Sequence, residues 1–373
     1  MIPRIIQKSI QERLFQGKAI LLMGARQVGK TTLLKQLFRD DDALWLNADE
    51  LDVQALFAQA TSTRLKSVFG NKKIVVIDEA QRIADVGLKL KLIIDEIPDV
   101  QLVATGSSSF ELANRVNEPL TGRKWEYKLF PLSFGEMVAH HGLLEEKRLI
   151  PQRLVYGYYP DVVCHPGSER ERLVELTSSY LFKDILAWER LRKPECLVKL
   201  LQALAFQVGS EVSFRELGEM ASLDSKTIEK YVVLLEQCHV VFRLGSFHRN
   251  LRNELKSSRK FYFYDNGIRN ALIANFNGPE LRQDVGALWE NFVASERIKA
   301  LHYRMLHRNC WFWRTAAQKE VDWLEEGDGR LTASEFKWNP RKTVKLPAAF
   351  SAAYPDAAFR VVHPDNLEDF LER

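Results

Sequence analysis

The stretch Gly24-Ala25-Arg26-Gln27-Val28-Gly29-Lys30-Thr31-Thr32 constrains the fold more than any other part of the chain. The apolar run Ala19–Met23 before it reads as a buried strand, and Thr32–Phe38 after it has helical spacing. Strand, glycine loop, Gly-Lys-Thr and helix together form the context of a phosphate-binding loop. Glycines let the backbone curl so that its N–H groups converge on phosphate oxygens, and the helix N-terminus adds partial positive charge. Gly24, Arg26, Gln27, Val28, Gly29, Lys30, Thr31 and Thr32 are therefore the expected nucleotide contacts. Lys30 would reach the β- and γ-phosphates and the Thr31 hydroxyl would hold Mg²⁺. The bland alternative, a glycine-rich turn before a surface helix, is disfavoured by the full spacing and context.

A second stretch supports this reading. Lys73–Ile77 is another apolar run, and it ends in Asp78-Glu79. An acid at the C-terminal end of a parallel strand lies where ligands bind in such sheets. Asp78 is expected to hold Mg²⁺ through water, and Glu79 to orient and deprotonate the attacking water. The alternative is that the two acids only cap the next helix. The residues together predict Mg²⁺-dependent ATP binding and hydrolysis.

At 373 residues the chain has room for two or three domains. A net charge of +4 is too small to argue nucleic-acid binding by itself. Cys164, Cys196, Cys238 and Cys310 are scattered without metal-ligand spacing and read as reduced thiols, so a cytoplasmic protein is expected. The N-terminus has early charge and no long apolar core, unlike a signal peptide, and no run approaches a membrane span.

Along the chain, residues 4–15 predict an amphipathic helix with Ile5, Ile6, Ile10 and Leu14 on one side. Ala43–Asn47, Gln101–Thr105 and Lys124–Phe130 predict further strands, and residues 51–68 and Leu88–Ile97 predict helices. Strands alternating with helices argue an α/β fold with a parallel, doubly covered sheet. Met137–Leu149 and Glu169–Leu191 predict helices beyond that sheet.

Gly-x-Arg-Gln-x-Gly-Lys-Thr-Thr, Ile-Asp-Glu-Ala-Gln, Thr-Gly-Ser-Ser, Leu-x-Gly-Arg and Pro-Leu-Ser-Phe-x-Glu occur in that order. The chain thereby resembles prokaryotic AAA+-type ATPases whose C-terminal half is a domain of unknown function with a restriction-nuclease-like fold. The resemblance implies a core sheet of order 5-1-4-3-2 and a small helical lid. It also implies a sensor in the polar turn Thr105–Ser108, with Ser107 the chosen residue, and a finger or sensor arginine at Arg123. A guanidinium suits that role because it spreads charge over the transferring phosphoryl group. A finger acting in trans would require a homo-oligomer, and a surface arginine in a loop is the alternative.

Residues 196–263 predict three helices and a two-stranded hairpin, which is a winged helix. Between the hairpin strands lie His248, Arg249, Arg252, Lys256, Arg259 and Lys260 against one acid, Glu254, a composition suited to duplex DNA. The alternative is a domain that packs between its neighbours. The remaining order, a helix from Val285 to Leu301, three strands, a helix and a last strand, is the core of the PD-(D/E)xK nuclease fold. Asp322, Glu335 and Lys337 match its acid and Glu-x-Lys positions, with Val321 where a proline is usual. Glu290, Asp322 and Glu335 are the expected metal ligands there. Counting outward from the Asp328-Gly329 turn sets Asp322 opposite Glu335 and Glu320 opposite Lys337. Those acids could instead face water beside a Glu320–Lys337 ion pair. The expected division is an ATPase core over 1–130, a lid and connection over 131–195, a winged helix over 196–264 and a nuclease-like domain over 265–373. An ATP-regulated protein-assembly switch with an inactive nuclease-like domain is the alternative to a DNA-acting ATPase.

Overall fold

The computed structural model describes residues 2–38, 42–106, 119–181, 194–247, 259–315 and 317–372. The chain divides into two compact units, residues 1–131 with 237–239 and residues 132–236 with 240–373.

Unit one is built on five strands, β1 (Ala19–Met23), β2 (Ala43–Asn47), β3 (Ile74–Asp78), β4 (Gln101–Gly106) and β5 (Lys124–Lys128). Their order is β2-β3-β4-β1-β5, the implied 5-1-4-3-2 read from the other edge. Every neighbouring pair is parallel. All five residues of β1 are buried, which explains its unbroken apolar run: a parallel sheet covered on both faces has no solvent side to mark. Leu21, Met23, Val75, Ile77 and Ala104 share one core with Phe57, Leu65, Phe69, Leu90 and Ile93 from the helices.

Two helices differ from expectation. The first spans only Ile6–Glu12, with Ile6 and Ile10 buried and Ile5 43% exposed. Residues 51–68 form two helices, Leu51–Ala58 and Ser62–Phe69. Thr61 interrupts them, because its hydroxyl accepts the Arg64 N–H (3.3 Å) and so starts a new helix.

In unit two, the expected Met137–Leu149 helix is two helices, Phe134–His141 and Leu143–Tyr156. The break is at Gly142, whose φ of +94° favours glycine. Ser133 and Glu136 form a capping box at the first of these. Helix Glu169–Glu175 runs into a π-helical stretch, Leu176–Leu181. The rest of the expected Glu169–Leu191 helix lies outside the described residues.

Helices Pro194–Phe206, Phe214–Ala221 and Ser225–Gln237 follow, close to their expected spans. The hairpin strands β7 (Val241–Ser246) and β8 (Arg259–Phe263) pair antiparallel, and a short strand β6 (Glu211–Val212) adds to β8. They do not stand free as a wing. Gly245 and Ser246 of β7 pair in parallel with Trp311 and Phe312 of β9 (Asn309–Arg314). With β10 (Glu320–Gly327), β11 (Arg330–Phe336) and β12 (Ala358–Val362) they form one seven-stranded sheet of order β12-β11-β10-β9-β7-β8-β6. Hydrogen bonding is thus continuous across residues 264 and 265.

A helix not anticipated from sequence, Asn266–Leu272, follows β8. Asp265 caps it, accepting from Ile268 N (3.1 Å) and also from Tyr158 N (2.6 Å). Gly157 permits this approach, since a Cβ there would lie 2.1 Å from Asp265 Oδ1. Next to it, Asp284 Oδ2 accepts from Arg269 (2.7 Å), and both its oxygens accept from Arg282 (2.8 and 2.9 Å). Hydrogen bonds from Arg282, then the charge of Arg269, outweigh burial and pull the Asp284 carboxyl down to about 2.

This gives a pH signature. A carboxyl whose folded pKa is depressed adds stability above its unfolded value near 3.8, and that stability is lost as pH falls through about 2. Asp284→Asn is expected to cost ~1–2 kcal/mol at pH 7, allowing for partial exposure. Urea unfolding at several pH values should show the gap to wild type closing between about pH 4 and 2. A gap independent of pH would deny the ion pair this role.

Candidate nucleotide site and the C-terminal acid face

The loop between β1 and helix Lys30–Leu37 stands at the C-terminal edge of the first sheet. Gly24 lies flat against the backbone after β5: a Cβ would sit 2.1 Å from Leu129 O, so only glycine fits. Gly29 is left-handed, with φ +94°. Val28 is fully buried, while Gln27 and Thr32 are exposed. Lys30, 6% exposed, folds back over the loop and donates to Gly24 O and Ala25 O, both at 2.9 Å. Such a lysine needs only to turn its Nζ from carbonyl oxygens to phosphate oxygens.

Asp78 ends β3 beside this loop. Its Oδ2 accepts from Thr31 Oγ1 (2.8 Å), and its Oδ1 from the Thr105 hydroxyl. The pairing of Ile77 with Ala104 brings Asp78 level with Thr105. Thr105 Oγ1 also accepts the Glu79 N–H at 3.1 Å. Glu79 is held in the left-handed region (φ 52°, ψ 41°), an uncommon conformation for a residue with a side chain, and Gln81 donates to its carboxylate. Thr31, Asp78 and the Glu79 backbone are therefore linked through Thr105, with Lys30 next to Thr31 in the chain. Thr31 and Asp78 present hard oxygen donors, the chemistry Mg²⁺ requires.

Thr105 was legible only as part of a polar turn. Its hydroxyl touches Asp78, and the chosen Ser107 lies outside the described residues. Arg4 had no sequence signal at all. Its guanidinium donates to Val28 O and Phe130 O, both at 2.7 Å, tying the loop to the segment after β5.

Arg123 is not at the loop. Its carbonyl accepts from Ala19 N, so it sits at the start of β1, a strand length of ~16 Å from the phosphate end at about 3.3 Å per residue. Its side chain pairs with Asp95 (2.8 Å). So placed, its side chain does not meet the phosphate loop of its own chain.

In unit two the hairpin register from Gly327–Arg330 to Trp323–Ser334 is as counted from the turn. It stops there. A bulge lies between Val321 and Leu324 where β10 pairs with β9, and the Asp322 carboxylate accepts the Phe336 N–H (2.8 Å). The β10–β11 ladder ends at Trp323–Ser334, so Asp322 and Glu335 are not among its pairs. Lys337 joins them, bonding Glu335 at 2.7 Å and Asp322 at 3.4 Å. The expected Glu320–Lys337 pair is absent: Glu320 bonds Lys260 and approaches Arg314 (3.7 Å).

Lys260 itself is a correction. Counted by sequence among the hairpin's DNA-facing cations, it is 2% exposed and inserted between Glu320 and Glu290 (2.9 Å). Tyr262 OH also donates to Glu290 (2.8 Å). Burial, opposed by Lys260 and reinforced by Asp322, pushes the Glu290 carboxyl up to about 7. Burial and Asp322 likewise push Glu335 up to about 7. Among the described residues no three His, Cys, Asp or Glu side chains converge as a metal-ligand group. Lys260 and Lys337 stand among Glu290, Asp322 and Glu335, so each of these acids is paired with an ammonium group. Of the other predicted hairpin cations, His248, Arg249, Arg252 and Lys256 lie outside the described residues, and Arg259 stacks over the Phe214 ring at 4.9 Å.

Among the described residues no helix is long and apolar enough to cross a membrane. Residues 16–138 match the model of an AAA domain, 147–279 a domain of unknown function (DUF8612) and 285–370 another (DUF4143). An uncharacterized protein of Mycobacterium tuberculosis is 26% identical over 333 residues, covering 88% of this chain and 72% of that protein. One of Methanocaldococcus jannaschii is 20% identical over 408 residues, covering 99% and 89%. Among solved structures, a signal transduction ATPase with a tetratricopeptide repeat sensor from Pyrococcus horikoshii aligns at TM-score 0.32 and 12% identity, covering 81% of this chain and 47% of that one. PCH-2 of C. elegans aligns at TM-score 0.25 and 14% identity, covering 62% and 65%. At those scores neither structure adds to the reading. The AAA match and the loop geometry together support a P-loop ATPase family for the N-terminal unit.

Proposed function

We propose that this chain binds and hydrolyses ATP with Mg²⁺, and that turnover works a conformational switch on duplex DNA. One observation carries the reading: Asp78, shared between Thr31 and Thr105 beside a buried Lys30. Mg²⁺ held by Thr31 and Asp78 would neutralise charge on the β- and γ-phosphates. Lys30 leaves the loop carbonyls to pair with those phosphates. Glu79 takes the proton of the attacking water, its backbone held by Thr105 and its carboxylate by Gln81. Arg123, at the far end of β1, serves a neighbouring copy's nucleotide in a homo-oligomer. DNA is supported by the exposed Lys226 and Lys230 on helix Ser225–Gln237 and by the cation-rich sequence of the hairpin connection. The helices Pro194–Phe206 to Ser225–Gln237 with the hairpin are read as a winged helix, and the C-terminal strands as a restriction-nuclease-like fold.

A second reading follows from Lys260 and Lys337. Acids already neutralised by lysines suit a nuclease-like domain that has become a protein-binding module, with ATP setting an assembly state.

ATP turnover with and without duplex DNA, read together with the integrity of that DNA, separates the two. DNA should accelerate turnover and remain uncut. Indifference to DNA would favour the assembly switch, and cleavage would overturn the neutralised acid face. Lys30→Ala should lose nucleotide affinity. Glu79→Gln should bind ATP yet turn over ~10²-fold more slowly, the range for losing a general base. Wild-type turnover in Glu79→Gln would remove it from the mechanism.

The placement of Arg123 predicts complementation. Arg123→Ala and Lys30→Ala chains, each nearly inactive alone, should regain partial turnover when mixed, since each supplies what its neighbour lacks. A mixture that assembles by light scattering but stays as inactive as its parts would refute action across a subunit boundary.

A further inference from the structure

Unit two contains a cavity of about 400 Å³ that belongs neither to the phosphate loop nor to the Lys260–Lys337 cluster. Four guanidiniums line it, Arg297, Arg308, Arg330 and Arg360, against two carboxylates, Glu325 and Asp328. Three of the four are held by further contacts. Arg297, 1% exposed, bonds both oxygens of Glu325 (2.8 and 2.6 Å) and Phe370 O (2.8 Å). Arg308 reaches Asp328 (2.9 Å) by crossing Gly327, where a Cβ would come within 1.9 Å of Arg308 Nη1. Arg360 donates to Ser334 Oγ (3.1 Å) and lies 4.6 Å over the Phe370 ring. Arg330 is exposed at the rim, one residue past the Asp328-Gly329 turn. The Phe359 ring adds an apolar wall.

We propose that this cavity binds a phosphate monoester. Its volume is that of a small-ligand site. Two guanidiniums in excess of the carboxylates match a monoester, which carries about −1.5 to −2 at neutral pH; a phosphodiester or a carboxylate carries only one charge. Planar guanidinium forks fit phosphate oxygens in pairs, and preset donors lose little freedom on binding. Gly327 and the left-handed turn residues Asp328 (φ 53°) and Gly329 (φ 74°) fix the edge of the cavity without a side chain at 327 to fill it. The ester is either a free small molecule or the phosphorylated end of a nucleic-acid strand. The site is independent of the ATPase reading.

The test uses the full chain carrying Lys30→Ala, so that the phosphate loop does not dominate. Binding of AMP, adenosine, and a short DNA oligonucleotide with a 5′-phosphate or a 5′-hydroxyl is measured by calorimetry. AMP should bind at least tenfold more tightly than adenosine, or the 5′-phosphorylated strand tenfold more tightly than its hydroxyl counterpart. The first result assigns a free ligand and the second a strand end. Adding Arg330→Glu, a surface change that leaves the melting temperature in place, should reduce that binding about tenfold. Arg308→Lys, which keeps charge but loses the fork, should reduce it several-fold. No preference for the phosphorylated probes, or affinity unaffected by both substitutions, overturns the proposal.

Discussion

Everything at the phosphate end of unit one depends on one carboxylate. Asp78 accepts a hydroxyl from the helix after the loop and another from the end of β4, so three segments distant in sequence share it. The sheet order makes this possible: β4 lies between β3 and β1, and Thr105 therefore stands between the acid and the loop strand. Thr105 in turn receives the Glu79 N–H, which helps hold that residue in an otherwise costly left-handed conformation. Arg4 completes the frame from outside by bonding the loop's own carbonyl at Val28. The loop is thus restrained by its neighbours, as pre-organised anion sites require.

What could be read in the sequence was mostly local. Four apolar runs separated by helical spacings announce a parallel sheet, because each signal sits within a few residues. Asp328-Gly329 announces its hairpin and five ladder pairs for the same reason. Reading fails where partners are far apart or where one residue slips. Arg4 bonds residues 24 and 126 positions away, and no spacing rule reaches that far. A bulge between Val321 and Leu324 shifts β10 against β9 beside the acids, and the ladder with β11 ends at Trp323–Ser334. Lys260 looked like a surface cation because composition records charge but not burial.

The C-terminal acid face shows how a buried charge cluster is tolerated. Carboxylates removed from water need partners, and breaking such a pair leaves an uncompensated charge. Lys260 and Lys337 provide those partners from β8 and from just beyond β11, while Tyr262 gives Glu290 a further donor. Glu290 and Glu335 still sit near 7, burial being the larger influence on each, so the face keeps its affinity for protons despite two ammonium groups.

The seven-stranded sheet also bears on how the chain folds. β7 is an interior strand, yet its partner β9 is more than sixty residues further along, since Gly245 pairs with Trp311. Helices such as Ser225–Gln237 need only local contacts, whereas this pairing must close a long loop and comes late. During synthesis β7 and β8 therefore emerge as a hairpin with one bare edge, its N–H and C=O groups unpaired until β9 follows. A chain stopped before residue 309 would keep that edge open, a template for association with other chains.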